Sequence, residues 1–299
     1  FMRFMPGVGG PGAGMLGAWR APDVGRSPGG QWGVAVKHQL TDSTDFGLYH
    51  LRYRELLGLP EFSFTGNFWQ LGDGTVSMPF LANLAPSSYR LRYMDDIRLT
   101  GASFSTRIGE TNVAGEVAYR DGAPVLMSDI HYGLARAKVV NTQVSAIRLW
   151  GSDFLDGWLG VDTAQLAGEI ATSTVKSFDT PASSGTPVGP ARLLYDRHSL
   201  AYSIGLQVKY IAVIPGWDMA IPVDWSHQLK GNPGMQGWNS GLQGENDRRF
   251  SLGVTFSYQQ NLELGIKLAH YLGKADLGTH ASRTLVDRDF LALMATYRF

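Results

Sequence analysis

The sequence predicts an all-β fold, an antiparallel transmembrane β-barrel of the outer-membrane type, with about eleven strands in this chain and more in the full protein. Three observations lead to this class. Apolar side chains alternate strictly with polar or small ones. The alternating segments run for about ten residues or more, which is long enough to cross a bilayer at a tilt. Short and long connections alternate between them.

The alternation is clearest between residues 199 and 210. One face there carries Leu200, Tyr202, Ile204, Leu206, Val208 and Tyr210, and the other carries Ser199, Ala201, Ser203, Gly205, Gln207 and Lys209. Residues 217–226, 250–258, 262–269 and 291–299 repeat this pattern. A period of two indicates a strand with one apolar face. A soluble sandwich gives the same alternation, but its strands usually span only about five to six residues.

The connections fall into two classes that alternate along the chain. Short turns are predicted at 41–43, 109–111, 151–157, 211–216 and 259–261, and long polar loops at 55–87, 121–135, 175–196, 230–246 and 274–286. Short periplasmic turns and longer extracellular loops are typical of outer-membrane barrels. A sandwich has no reason to sort its loops by length in this way.

These turns and loops separate eleven predicted strands. They are 31–40, 44–54, 88–108, 112–120, 136–149, 158–173, 198–210, 217–228, 248–258, 262–272 and 287–299. The third predicted strand bends or leaves the barrel wall near residues 95–96. Neither face of the sixth predicted strand is uniformly apolar. Bacterial barrels need an even strand number and a periplasmic start. We therefore expect residues 1–299 to form a single barrel domain whose N-terminal half is missing, with residues 1–30 as a glycine-rich loop and residues 31–299 as barrel strands.

Composition narrows the function classes. The chain has 26 basic and 26 acidic residues and a net charge of zero. Nucleic-acid binders usually carry a basic excess, so no nucleic-acid partner is expected. The chain contains no cysteine, which excludes disulfides and thiolate chemistry, and its histidines show no metal-ligand spacing. We expect neither a cofactor nor a metal.

Charged and aromatic side chains are the candidate functional residues of the barrel. Because charge facing lipid is costly, charged residues within the strands are expected to face the lumen. They are Glu116, Arg120, Lys209, Asp218, Asp224, Glu263, Lys267 and Arg298. Aromatic girdles mark the two membrane interfaces. Tyr210, Trp217, Tyr258, Tyr297 and Phe299 are predicted at the periplasmic rim, and Tyr119, Tyr202, Trp225 and Phe250 near the outer rim.

Two motifs suggest other chemistry. Residues 7–12 spell G-x-G-x-x-G, but the strand and helix that a dinucleotide site requires are absent from the pattern. Asp224, Ser226 and His227 suggest a hydrolase, as do His198 and Ser199. Adjacent strand residues point to opposite faces, so neither serine reaches its neighbouring histidine. We expect no enzymatic activity. A lipolytic enzyme stays an alternative, because the catalytic partners of a serine could come from other strands.

Several motifs resemble one known family. The C-terminal Phe299, with Tyr297 and Leu293 on its face, resembles the signal by which the barrel assembly machinery recognises outer-membrane proteins. The segments FGLY at 46–49, GASFST at 101–106, VAGEVAYR at 113–120, PGWD at 215–218 and DRDF at 287–290 are similar to the bacterial family catalogued as domain of unknown function 1302. The resemblance runs from about Gly30 to the end of the chain.

The resemblance implies a long barrel of the bacterial outer membrane. Family members are often encoded near a periplasmic protein and an inner-membrane transporter of the resistance–nodulation–division type. Membrane lipids and lipopolysaccharide are further expected partners. This implies a channel, or a component of an envelope transport system, for hydrophobic molecules or lipids. A general diffusion porin for small polar solutes and a structural or scaffold barrel are the alternatives.

Overall fold

A computed structural model describes residues 16–25, 29–56, 58–64, 68–71, 74–77, 86–151, 160–232, 242, 244–274 and 285–298. All regular elements in these residues are strands. They are β1 (Leu16–Gly17), β2 (Trp19–Arg20), β3 (Trp32–Thr41), β4 (Thr44–Tyr53), β5 (Leu59–Ser63), β6 (Phe68–Leu71), β7 (Gly74–Ser77), β8 (Ser88–Arg92), β9 (Ile97–Ile108), β10 (Thr111–Leu126), β11 (Leu134–Trp150), β12 (Thr163–Phe178), β13 (His198–Ile214), β14 (Trp217–Lys230), β15 (Arg248–Tyr258), β16 (Leu262–Leu272) and β17 (Phe290–Tyr297). The described part of the chain contains no helix with the length and hydropathy of a membrane span.

Eleven strands form one antiparallel sheet in the order β17-β16-β15-β14-β13-β12-β11-β10-β9-β4-β3. Each strand pairs with the next long strand of the chain, so the sheet is a continuous meander. Within the described residues β3 and β17 are its two edges. This architecture confirms the predicted all-β, antiparallel fold of the outer-membrane barrel type, and the sheet has the predicted strand number.

Short hairpins join the strands at one end of the sheet. The described turns are 42–43, 109–110, 215–216 and 259–261. Gly109 and Gly216 have φ angles of 61° and 81°, a left-handed conformation that glycine adopts without a Cβ clash. The connections at the opposite end are longer, spanning 54–96, 179–197, 231–247 and 273–289. Of the two remaining connections, 127–133 lies at this second end, and 151–162 includes residues outside the described set.

The structure corrects three predicted boundaries. The segment 121–135 was expected to be a long loop, but β10 and β11 extend into it and leave only residues 127–133. A bulge between Asp121 and Ala123, with Gly122 at φ 89°, lets pairing continue past the polar sequence that suggested a loop. The predicted sixth strand is shifted to Thr163–Phe178, and the predicted part at 158–159 lies outside the described residues.

The third predicted strand, 88–108, divides where a bend was expected. Residues 93–96 are not in a strand, and Asp96 has a φ of 52°. β9 continues in the large sheet, whereas β8 pairs with β2 and β5 in a separate three-stranded sheet. The remaining short strands form a third sheet in the order β1-β6-β7.

Residues 18–25, 58–64, 86–96, 127–133 and 179–197 form a layer that we call the cap. The cap packs on the large sheet at the end with the long connections. Its main apolar contact joins Tyr132, Ala191 and Leu193 to a buried cluster that includes Val125, Val139 and Val175. A second cluster, around the fully buried Ile97, contains Met94 and Leu134. These clusters hold connecting segments against one face of the sheet.

Candidate functional site

The strand register separates the large sheet into two chemically different faces. Because the pairs Ile170–Tyr202, Tyr202–His227 and Ile204–Trp225 lie directly opposite each other, apolar side chains line up across neighbouring strands. We call this side the apolar face. It remains open to the surroundings: Val36 is 60% exposed, Ile204 46% and Leu293 79%. A soluble protein rarely exposes a continuous apolar surface of this extent.

The opposite side, which we call the polar face, carries every charged residue that the sequence predicted to point into a lumen. The register puts eight charged residues on this face: Glu116, Arg120, Lys209, Asp218, Asp224, Glu263, Lys267 and Arg298. The shared face is a structural fact. That it surrounds a lumen is a prediction.

Charges on the polar face pair across neighbouring strands. Lys209 Nζ lies 3.1 Å from Asp218 Oδ2, and Arg298 Nη1 lies 2.9 Å from Glu263 Oε1. Asp224 accepts a hydrogen bond of 2.7 Å from Ser251 Oγ and lies 3.9 Å from Lys267 Nζ. These side chains are partly exposed, so each pair stabilises the fold only modestly. Their arrangement gives a wall of mixed sign rather than a field of one sign.

A hollow of about 530 Å³ lies on the polar face beside β3 and β4. Its polar lining includes Lys37, Asp45, Tyr49, Glu116 and Gln143. Tyr49 Oη and Ser103 Oγ share a hydrogen bond of 2.8 Å across its floor. Sequence reasoning missed Lys37, Asp45 and Tyr49 as site residues. Their position on the polar side of the alternation in 31–40 and 44–54 could have identified them.

The predicted interface aromatics that the structure describes all lie on the apolar face. Trp217 and Tyr258 sit side by side next to the short turns, with ring centroids 5.1 Å apart. Tyr202 and Tyr210 are eight positions apart on β13, which at a tilt of about 40° corresponds to about 20 Å along the membrane normal. The apolar band of outer-membrane barrels has a similar height. Phe299, the predicted end of the assembly signal, lies outside the described residues.

The remaining aromatics occupy the same face. Trp225 lies opposite Phe250 and donates a 3.0 Å hydrogen bond from Nε1 to Tyr202 Oη. Tyr119 and Tyr297 are 39% and 59% exposed. Their location at the two membrane interfaces remains a prediction.

Polar contacts anchor the cap, and sequence reasoning did not find them. Ser184 Oγ donates to the carbonyl oxygens of Phe62 and His131, at 2.8 and 3.3 Å. His131 Nδ1 lies 2.6 Å from Asp129 Oδ1, and the Val188 N–H donates to Asp129 Oδ2 at 2.7 Å. Burial raises the pKa of Asp129, but hydrogen bonds from the His131 and Val188 N–H groups and the His131 side chain outweigh it. The pKa of this carboxyl therefore lies below its ordinary value.

The serine and histidine candidates for hydrolysis do not form a catalytic pair. Ser226 and Asp224 lie on the polar face, whereas His227 lies on the apolar face beside Tyr202. His198 Nδ1 shares a 3.1 Å hydrogen bond with Thr174 Oγ1 and, as the neighbour of Ser199, points to the other face. Among the described residues, no three His, Asp or Glu side chains are grouped so that they could hold a metal ion. The G-x-G-x-x-G segment at 7–12 lies outside the described residues.

Comparison with known proteins identifies the family of the chain. The model of the family described as "Protein of unknown function (DUF1302)" matches residues 12–299. No curated protein matches the sequence significantly. Among solved structures, the chain is similar to the outer-membrane expressed OmpT of Vibrio cholerae, with 11% identity and a TM-score of 0.33. That alignment covers 84% of this chain and 82% of the other.

Proposed function

The chain belongs to the family described as protein of unknown function (DUF1302), and from this premise we propose that it is a bacterial outer-membrane β-barrel that provides a transport path across that membrane. The separation of the two sheet faces carries the proposal. Lipid has no water to solvate charge, so a membrane-spanning sheet must expose apolar side chains on its outside. The apolar face meets this requirement, and the polar face is then the wall of the lumen.

Hydrophobic molecules or lipids are the proposed cargo, within an envelope transport system. The resemblance of the FGLY, GASFST and VAGEVAYR segments to the family supports this cargo class. It also supports a periplasmic protein and an inner-membrane transporter of the resistance–nodulation–division type as partners, and the barrel assembly machinery as the route of insertion.

A specific observation favours small polar solutes as a second candidate. The lining of the hollow beside Lys37 and Asp45 includes hydroxyl, amide and charged groups as well as Phe46 and Phe104. Its polar groups can solvate a polar solute. Under this reading the barrel is a general diffusion porin, and the charge pairs of the polar face set its weak selectivity.

Transport assays on the full protein in vesicles distinguish the two cargo classes. We expect faster exchange of a fluorescent fatty acid than in protein-free vesicles, with swelling in sugar solutions at the protein-free rate. The reverse result, together with large single-channel conductance, would replace the hydrophobic cargo with polar solutes. The double substitution Lys37→Ala with Asp45→Asn should alter transport only if the cargo is a polar solute. The matched control is Lys138→Ala with Asp42→Asn, because both residues lie outside the hollow. A barrel that inserts yet accelerates neither cargo would refute the transport proposal.

A further inference from the structure

A compact group of aromatic and basic residues lies on the apolar face, near the ends of β13, β14 and β15 that lead to the long connections. We call Tyr202, Trp225, His227, Lys230 and Arg248 the rim patch. Tyr202, His227 and Arg248 stand in one register row across three strands. Lys230 is exposed and lies opposite Leu200, on the same face. The sequence alternation alone would have placed apolar residues at these positions.

The aromatic residues hold the histidine ring in a fixed position. Trp225 Nε1 donates a 3.0 Å hydrogen bond to Tyr202 Oη, which joins the two largest side chains of the patch. The His227 ring meets Tyr202 edge-on, with centroids 5.7 Å apart, and lies 6.3 Å from the Trp225 ring. A ring packed in this way does not need to be ordered again when a ligand arrives, which favours binding.

One donor nitrogen of the patch, Arg248 Nε, is shielded from water and has no hydrogen-bond partner within the part of the chain that the structure describes. The His227 side chain is hydrogen bonded to the side chain of Asn246. The nearby carboxylates are already engaged: Asp247 pairs with Arg249 at 2.8 Å, and Asp289 pairs with His270. Arg248 lies opposite His227, and the exposed Lys230 lies at the same end of the sheet, so basic groups are concentrated there. Basic groups on adjacent strands repel each other, and an anionic group from outside the chain would reduce that repulsion.

We propose that the rim patch binds a phosphate group of lipid A, the membrane-embedded part of lipopolysaccharide. This inference rests on the proposed function, because it places the apolar face in the lipid of the outer membrane. Arg248 supplies a forked donor suited to phosphate oxygens, and Lys230 adds a second positive charge. The exposed Ile204 lies beside Trp225, one row closer to the short turns, where the acyl chains of the same lipid would run. The patch thus matches a lipid with an anionic head and apolar tails.

Native mass spectrometry of the full protein in detergent micelles tests the assignment. Lipid A carrying both phosphates would be titrated against the protein, and dephosphorylated lipid A would serve as the second ligand. We expect Arg248→Gln to weaken binding of the phosphorylated lipid about tenfold, the usual loss for one charge-assisted hydrogen bond. His227→Gln should weaken it by a smaller factor, because the His227 ring supports the patch through its contacts with Tyr202 and Trp225. Neither change should affect the dephosphorylated lipid, which should already bind more weakly.

Arg148→Gln is the matched control, because Arg148 lies on the same face at the opposite end of the sheet and is paired with Glu110 at 3.0 Å. It should leave lipid A binding unchanged. Equal binding by wild type, Arg248→Gln and His227→Gln would overturn the inference, and so would equal affinity for phosphorylated and dephosphorylated lipid. Heat-modifiable migration on gels, measured on the same samples, reports whether the barrel is folded. Loss of this migration would show that the chain does not form a barrel, which is a failure of the proposed function. Normal migration without lipid A binding would be a failure of this inference alone.

Discussion

Ile204→Arg separates a membrane-spanning sheet from a soluble one. Ile204 lies on β13 between the aromatic positions 202 and 210, opposite Gly168 and Trp225 on the neighbouring strands. Its side chain is 46% exposed, so half of its surface contacts the surroundings rather than the protein. If water surrounds the sheet, arginine keeps its charge hydrated there, and the change in unfolding free energy stays within about 0.5 kcal/mol.

The same substitution in a membrane has a larger cost. Arginine on the lipid face of an outer-membrane barrel costs about 2–4 kcal/mol at the bilayer midplane and about 0–1 kcal/mol near the interfaces. Ile204 lies between these limits, two positions from Tyr202, so we expect a loss of about 1–2 kcal/mol. This lowers the folding equilibrium constant by about 5- to 30-fold, since each 1.4 kcal/mol is a factor of ten. Ser203→Arg is the matched control. Ser203 neighbours Ile204 but lies on the polar face opposite Glu169, where a new positive charge should be tolerated.

Equilibrium unfolding in guanidinium, with the full protein refolded into lipid vesicles, measures both variants. We expect a loss of about 1–2 kcal/mol for Ile204→Arg and less than about 0.5 kcal/mol for Ser203→Arg. Equal stability of Ile204→Arg and wild type would refute the reasoning that this face contacts lipid. A larger loss for Ser203→Arg would reverse the assignment of the two faces.

Three further predictions concern the cap and one hairpin. Ser184→Ala removes the hydroxyl that bonds to Phe62 O, so limited proteolysis should cut residues 179–197 faster, with a loss of about 1 kcal/mol in local stability. Because the folded pKa of Asp129 is lowered, its stabilisation of the cap is present above the ordinary value of 3.8 and is lost as pH falls through the depressed value. The protection of residues 127–133 from hydrogen exchange, relative to the intrinsic rate at each pH, should therefore fall only at acid pH, and Asp129→Asn should remove that dependence. Asp218→Asn weakens the pair with Lys209 and the bond from the Ala212 N–H, so thermal unfolding should begin at a slightly lower temperature than in the wild type.

The large sheet was predictable because its information is local. Alternation along 199–210 or 262–269 requires only that one strand has two faces, and short hairpins fix which strand pairs with which. The charged residues of the polar face follow from the same rule. Even the break near residues 95–96 was readable, because two successive aspartates interrupt the pattern.

The cap was not predictable because its contacts join residues that are distant in sequence. Ser184 bonds to Phe62, which is 122 positions away, and β2 pairs with β8 across a long segment of chain. Polar loops carry no periodic signal that would indicate such docking. The extension of β10 past Asp121 was missed for a related reason. Its apolar residues, including Val125, are buried by the cap rather than by the neighbouring strands alone.

Accessibility of single cysteines along β16 tests the central claim most directly, because the wild-type chain contains no cysteine. Spin labels at positions 264, 266 and 268 and at positions 263, 265 and 267 would be compared in lipid vesicles for collision with oxygen and with a water-soluble nickel chelate. The account predicts strong collision with oxygen at the even positions and with the nickel chelate at the odd positions. Nickel accessibility at both sets would contradict it, since the apolar face would then be in water.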